Sequence, residues 1–126
     1  MIIVLGSQKG GVGKSTLAVS IAAYLMSSGH RVLIVDADDQ KSVLTWYNSR
    51  SEELPHIPAT GGTGNIKAMQ KEHDNTYDFV IADYAGRDSA EMRSGVMAAD
   101  VFISPLRPYQ MDLDVVPHTC SVFTAA

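Results

Sequence analysis

Nine consecutive residues carry the densest chemistry of the chain: Gln8-Lys9-Gly10-Gly11-Val12-Gly13-Lys14-Ser15-Thr16. To hold a polyphosphate, several backbone N–H groups must converge on its oxygens. Glycines permit that turn because they carry no Cβ. A helix that begins directly after the turn adds the positive end of its dipole. Lys14 is then placed to reach the β- and γ-phosphates, and Ser15 to offer its hydroxyl to Mg²⁺. Thr16 falls near the α-phosphate. The alternative is a plain Gly-rich turn between a strand and a helix. The spacing and the two lysines favour the phosphate loop.

Carboxylates close two apolar runs. Asp36-Ala37-Asp38-Asp39-Gln40 follows Val32-Leu33-Ile34-Val35, and Asp83 follows Phe79-Val80-Ile81-Ala82. Residues at the carboxyl ends of parallel strands face the ligand crevice. An acceptor within about 3 Å of a water can take its proton, and a carboxylate such as Asp83 can hold Mg²⁺ directly or through water. For Asp36, Asp38 and Asp39 the competing role is to cap the helix that follows.

The elements that must position these residues alternate between strand and helix. Ile2-Ile3-Val4-Leu5 reads as a strand covered on both faces. A mostly buried helix is expected over 14–28, with Leu17, Ile21, Tyr24 and Leu25 on its main face, Ala18, Ala22 and Ala23 opposite, and Gly29 just past its end. The second strand ends on Asp36. A helix over 41–49 follows, with Val43, Leu44, Trp46 and Tyr47 inward and Trp46 in the core. The loop 52–63 has room for a short strand at 57–60, and a modest helix is expected over 65–73. The third strand ends on Asp83. A helix over 89–98 has Asp88 and Glu91 at capping-box spacing. Val101-Phe102-Ile103 is the fourth strand, and a last helix starts near Asp114 with Pro117 in its first turn. The pattern is an α/β fold with a mostly parallel sheet and helices on both faces.

Composition narrows the class. The chain has 126 residues, within the about 100–200 of one domain, so a single domain over 1–126 is expected. The apolar fraction of 45% and charged fraction of 19% are globular values. A net charge of −4 argues against a bulk-basic nucleic-acid binder. One cysteine, Cys120, cannot build a disulfide, a zinc knuckle or an iron–sulfur cluster, and the four histidines show no metal spacing. No apolar run reaches the ~20 residues of a membrane span, and no leader pattern opens the chain. A soluble cytoplasmic protein without a membrane partner is expected. The chain stops in or just after a helix, with no closing strand, so a C-terminally truncated domain is expected.

The phosphate loop departs from G-x-x-x-x-G-K-[ST] in having Gln8 at the first glycine, and it adds Lys9 before the glycines. This resembles the deviant Walker A signature of the ParA/MinD family of P-loop ATPases, and in particular its small plasmid-partition members. The resemblance runs through the whole chain. Asp36-Ala37-Asp38-Asp39-Gln40 is similar to the family's Asp-x-Asp-Pro-Gln, with Asp39 in place of proline, and a Trp-bearing helix follows as in those members. The run 77–83 resembles a Walker B strand, continued by Tyr84-Ala85-Gly86 where the family often has Pro-Pro.

The resemblance implies a three-layer P-loop NTPase fold and ATP with Mg²⁺ as ligands. It implies that Gly10, Gly11, Val12, Gly13, Lys14, Ser15 and Thr16 bind the nucleotide. Ser15, Asp36 and Asp83 serve the metal; Asp38 activates the attacking water; Lys9 reaches the nucleotide of the partner copy in a dimer. Gly86 lets backbone approach the γ-phosphate. Arg87 is a phosphate or dimer contact or a solvated loop residue, and 104–108 is either a nucleotide-side loop or two prolines ending a strand. The implied activity is ATP hydrolysis as a dimer switch in plasmid or chromosome partitioning. The partners would be a centromere-binding ParB-type protein and, in the full-length protein, nonspecific DNA. The adenine-contacting and DNA-binding parts of the family lie beyond residue 126. Three other readings stay open: a nucleotide-binding module without turnover, a relative serving another process such as conjugative transfer, and a metabolic P-loop ligase or synthetase. A membrane-anchored MinD role would need a basic amphipathic terminal helix, which 120–126 does not supply.

Overall fold

The computed structural model describes residues 1–62, 68, 71–73, 75–85 and 89–125. Five parallel strands form one sheet: β1 (Ile2–Leu5), β2 (Val32–Ala37), β3 (Ala59–Gly61), β4 (Phe79–Tyr84) and β5 (Val101–Ile103). Their order is β3-β2-β4-β1-β5. The described helices are α1 (Lys14–Ser27), α2 (Ser42–Ser49), α3 (Ala90–Val96), α4 (Gln110–Leu113) and α5 (Val116–Ala125).

The continuous apolar runs of β1, β2 and β4 follow from their cover. Alternate side chains enter two separate cores. Ile2, Val4, Leu33, Val35, Val80 and Ala82 pack with Met92, Val96 and Val122 from α3 and α5. Ile3, Leu5, Val32, Ile34 and Ile81 pack with Ala18, Ala22 and Val43 from α1 and α2. Each such large side chain taken from water contributes about 1.5–3 kcal/mol. The result is three layers, as the sequence implies.

Several details differ from the sequence reading. Helix α1 buries one narrow stripe rather than most of its surface. Ala18 and Ala22 are fully buried while Tyr24 is 70% exposed. The small alanines let the helix backbone approach the sheet, so Leu17, Ile21 and Leu25 flank the contact instead of filling it. Trp46 is only half-buried and carries the Arg50 guanidinium 4.7 Å from its ring centroid. Strand β3 lies slightly later than 57–60, because Pro58 has no N–H to pair; its carbonyl accepts from the Ile34 N–H at 2.9 Å. Ser89 caps α3 by accepting from the Met92 N–H at 3.1 Å. Asp88, expected in that role, lies outside the described residues, as do Gly86, Arg87 and most of the helix expected over 65–73. Gly29 follows α1 with a φ of 88°, as its place past the helix end requires. No described helix is long and apolar enough to cross a membrane.

Candidate functional site

The topology brings three strand ends together. The loop after β1 leads into α1, β2 runs into the acidic loop, and β4, lying between them, carries Asp83. Register places Leu5, Asp36 and Asp83 level across three neighbouring strands. A cavity of about 700 Å³ opens above them. Of the expected residues, Gly10, Gly11, Gly13, Lys14, Ser15, Thr16 and Asp38 line it. Asp39, Gln40, Ser42 and Ala85 complete the wall. Val12, Lys9, Asp36 and Asp83 are not part of that lining.

The phosphate loop takes its shape from two left-handed glycines, Gly11 at φ 69° and Gly13 at φ 89°. Gly13 precedes α1, and its carbonyl accepts from the Leu17 N–H at 2.9 Å. No side chain caps α1, and its first turn holds no acidic residue. Its first N–H groups therefore face the cavity uncompensated, which is the arrangement that attracts an anion. Lys14 is 6% exposed. Its ammonium donates to Ser7 Oγ and to the Lys9 carbonyl, both at 3.3 Å. Burial pulls its pKa down, while Asp83 and Asp38 act in the opposite sense.

Asp36 and Asp83 are both fully buried. Ser15 Oγ donates to Asp83 Oδ2 at 2.5 Å. Asp83 Oδ1 is buried with no hydrogen-bond partner among the described residues. Burial pushes the Asp83 carboxyl up to about 6; the Ser15 hydrogen bond and Lys14 oppose this, and the Asp36 charge adds to it. A buried carboxylate with one orphan oxygen beside a hydroxyl fits a small divalent cation. Mg²⁺ commonly takes only one or two carboxylates from the protein and leaves the rest of its shell to phosphates and water. No cluster of three or more His, Cys, Asp or Glu ligands is present among the described residues.

The remaining expected residues have other contacts. Both Asp36 carboxylate oxygens accept backbone N–H groups: Oδ1 from Asp38 at 3.1 Å and Oδ2 from Leu44 at 3.0 Å. Asp38 Oδ1 accepts from the Gln40 N–H at 2.9 Å. Lys9 turns away from the cavity. Its Nζ donates to the Met111 carbonyl at 2.7 Å and pairs with Asp112 Oδ1 at 3.3 Å. Asp112 also receives Arg107 through Nε at 2.9 Å. Arg107 first, then Lys9, hold that carboxyl well below the usual carboxylate range.

Sequence reasoning missed Ser7, Ser42 and Asp112. Ser7 precedes the motif directly, and Ser42 begins the helix after the acidic run; both had a local signal. Asp112 had none, since it meets Lys9 across 103 residues.

Known proteins resemble this chain over most of its length. Residues 3–119 match the family model described as the CobQ/CobB/MinD/ParA nucleotide binding domain. The chain is 30% identical over 116 residues to Protein ParA of Rhizobium radiobacter, covering 90% of this chain and 52% of that one. It is 34% identical over 119 residues to maintenance of carboxysome distribution protein A of Gloeobacter kilaueensis, covering 94% and 54%. A putative plasmid partition protein of Borrelia burgdorferi B31 bound to AMPPNP superposes with a TM-score of 0.77 at 19% identity, covering 98% of this chain and 68% of that one. The chain thus spans about half the length of the curated relatives it matches.

Proposed function

Because the chain belongs to the CobQ/CobB/MinD/ParA nucleotide-binding family, we propose that it binds Mg–ATP in the cavity above β1, β2 and β4. In the whole protein it would hydrolyse that ATP as a ParA-type partition ATPase. The observation that carries this reading is the uncapped first turn of α1 on the cavity wall, where Lys14 is buried and Ser15 donates to Asp83, whose other oxygen has no partner among the described residues.

In this reading the loop Gly10-Gly11-Val12-Gly13 turns backbone N–H groups toward the phosphates, and Lys14 neutralises the β- and γ-oxygens. Thr16 lies toward the α-phosphate. Ser15 and Asp83 would hold Mg²⁺, which would supply charge neutralisation at the phosphate oxygens. Asp38, on the cavity wall, accepts the proton of the attacking water. The water oxygen bonds to the γ-phosphorus as the bond from that phosphorus to the β–γ bridging oxygen breaks, the bond's electron pair leaves with ADP, and inorganic phosphate is released. Lys9 exchanges its contacts with Met111 and Asp112 for the nucleotide of a second copy, which makes the dimer depend on ATP. A ParB-type partner and nonspecific DNA complete the cycle in the whole protein.

Sedimentation of the chain with Mg–ATPγS, with Mg–ADP and without nucleotide tests the switch. The reading predicts a dimer with the ATP analogue alone and a monomer for Lys9→Ala under every condition. The same monomer for wild type in all three would contradict it.

A further inference from the structure

Asp36 is the hub of the acidic loop. Its carboxylate takes the Asp38 and Leu44 N–H groups. Its carbonyl takes the Gly62 N–H at 2.8 Å and the Lys41 ammonium at 3.2 Å. Leu44 is the third residue of α2, so its N–H has no acceptor inside the helix. Lys41, which precedes that helix, provides no side-chain cap. A carboxylate eight residues upstream does the capping instead, from the end of the neighbouring strand. Lys41 is also the one non-glycine with positive φ, 51°, among the described residues. Such a conformation persists where surrounding contacts over-determine it. Here the Lys41 N–H donates to the Asp38 carbonyl at 3.0 Å, while its ammonium reaches Asp36.

We propose that Asp36 is a positioning residue that fixes the 38–44 segment and thereby turns Asp38 toward the phosphate cavity, and that it stands outside the Mg²⁺ shell. Both its oxygens already point at N–H donors, whereas Asp83 offers an oxygen with no partner. Of the two carboxylates, Asp83 is therefore the one with an oxygen left for a cation. The proposal rests on the Mg–nucleotide reading only where Mg²⁺ is invoked; the backbone role stands apart from it.

The test combines amide hydrogen exchange with Mg²⁺ titration of the ATPγS-loaded chain, for wild type, Asp36→Asn and Asp83→Asn. An asparagine keeps one acceptor and presents an NH₂ to the other N–H. The Asp38 and Leu44 amides should be protected in wild type and exchange about tenfold or more faster in Asp36→Asn, as expected for loss of a charge-assisted hydrogen bond. Strand amides such as Val35 and Ile81 should not change. Mg²⁺ affinity should be unchanged in Asp36→Asn and collapse in Asp83→Asn. Equal loss of Mg²⁺ in both variants, or unprotected Asp38 and Leu44 amides in wild type, would overturn the proposal. If wild type takes no Mg–nucleotide, that reading fails, and the exchange rates still decide the role of Asp36. If Asp36→Asn does not fold, the wild-type exchange rates decide it alone.

Discussion

Ser15 Oγ donates to Asp83 Oδ2 at 2.5 Å and so ties the phosphate loop to the end of β4, 68 residues away. The pair couples two things that are usually argued separately: the site's readiness for a cation and the stability of the fold. The other oxygen of Asp83 is buried with no partner among the described residues. Holding that carboxylate ionised without a cation opposes folding.

The pH dependence follows from this. The Asp83 carboxyl titrates at about 6 in the folded chain against 3.8 ordinarily, chiefly because it is buried. A raised folded pKa means that the folded state binds the proton more tightly. The stabilising contribution is complete below about 4 and is lost as pH rises through about 6. The shift corresponds to roughly 3 kcal/mol as an upper figure. Asp83→Asn should therefore melt several degrees above wild type at pH 7.5 without Mg²⁺ or nucleotide, and the gap should close toward pH 4.5. A variant that melts below wild type at pH 7.5 would contradict the assigned burial cost.

Gly10 separates a ligand requirement from a folding requirement. A Cβ there meets nothing within 4 Å, and its φ is not positive, unlike those of Gly11 and Gly13. Gly10→Ala should leave the thermal midpoint unchanged. If phosphates approach this backbone, the same variant should weaken nucleotide binding about tenfold or more, as expected for a lost charge-assisted contact. Parallel melting and binding curves check both halves.

Gly95 is the opposite case. A Cβ on it would overlap the hydroxyl end of Tyr84, with Cε2 at 2.9 Å and the phenol oxygen and Cζ closer still. Tyr84 is 1% exposed and belongs to the core cluster with Met92 and Val96. Helix propensity favours alanine by about 1 kcal/mol, but overpacking a filled core typically costs about 1–3 kcal/mol. The clash wins, because the phenol oxygen that is struck first is fixed to a rigid, buried ring and is not the end of a flexible side chain. Gly95→Ala should lower the denaturant midpoint; an unchanged or raised midpoint would contradict this packing.

The sequence made the strands and the phosphate loop legible because their signals are local. A four-residue apolar run such as Ile2–Leu5 and the spacing of Gly10, Gly13 and Lys14 need no distant partner to be read. The buried face of α1 is not legible from side-chain size, because the most buried apolar positions of the helix are the small Ala18 and Ala22. Trp46, expected in the core, packs against its edge and stays half-buried. The capping alternative for the acidic run is realised by Asp36, the member farthest from α2, because β2 ends level with the first turn of that helix. The cis contact of Lys9 was invisible, since Asp112 is brought to it only by the folded chain.

Calorimetric titration of this 126-residue chain with Mg–ATP, beside Lys14→Ala, tests the central claim most directly. The cavity predicts saturable binding by wild type. Removing the buried ammonium should weaken binding by about 10–100-fold, the scale of a charge-assisted hydrogen bond in a buried site. Equal affinity in the two proteins, or no binding by a wild-type chain that melts cooperatively, would contradict it.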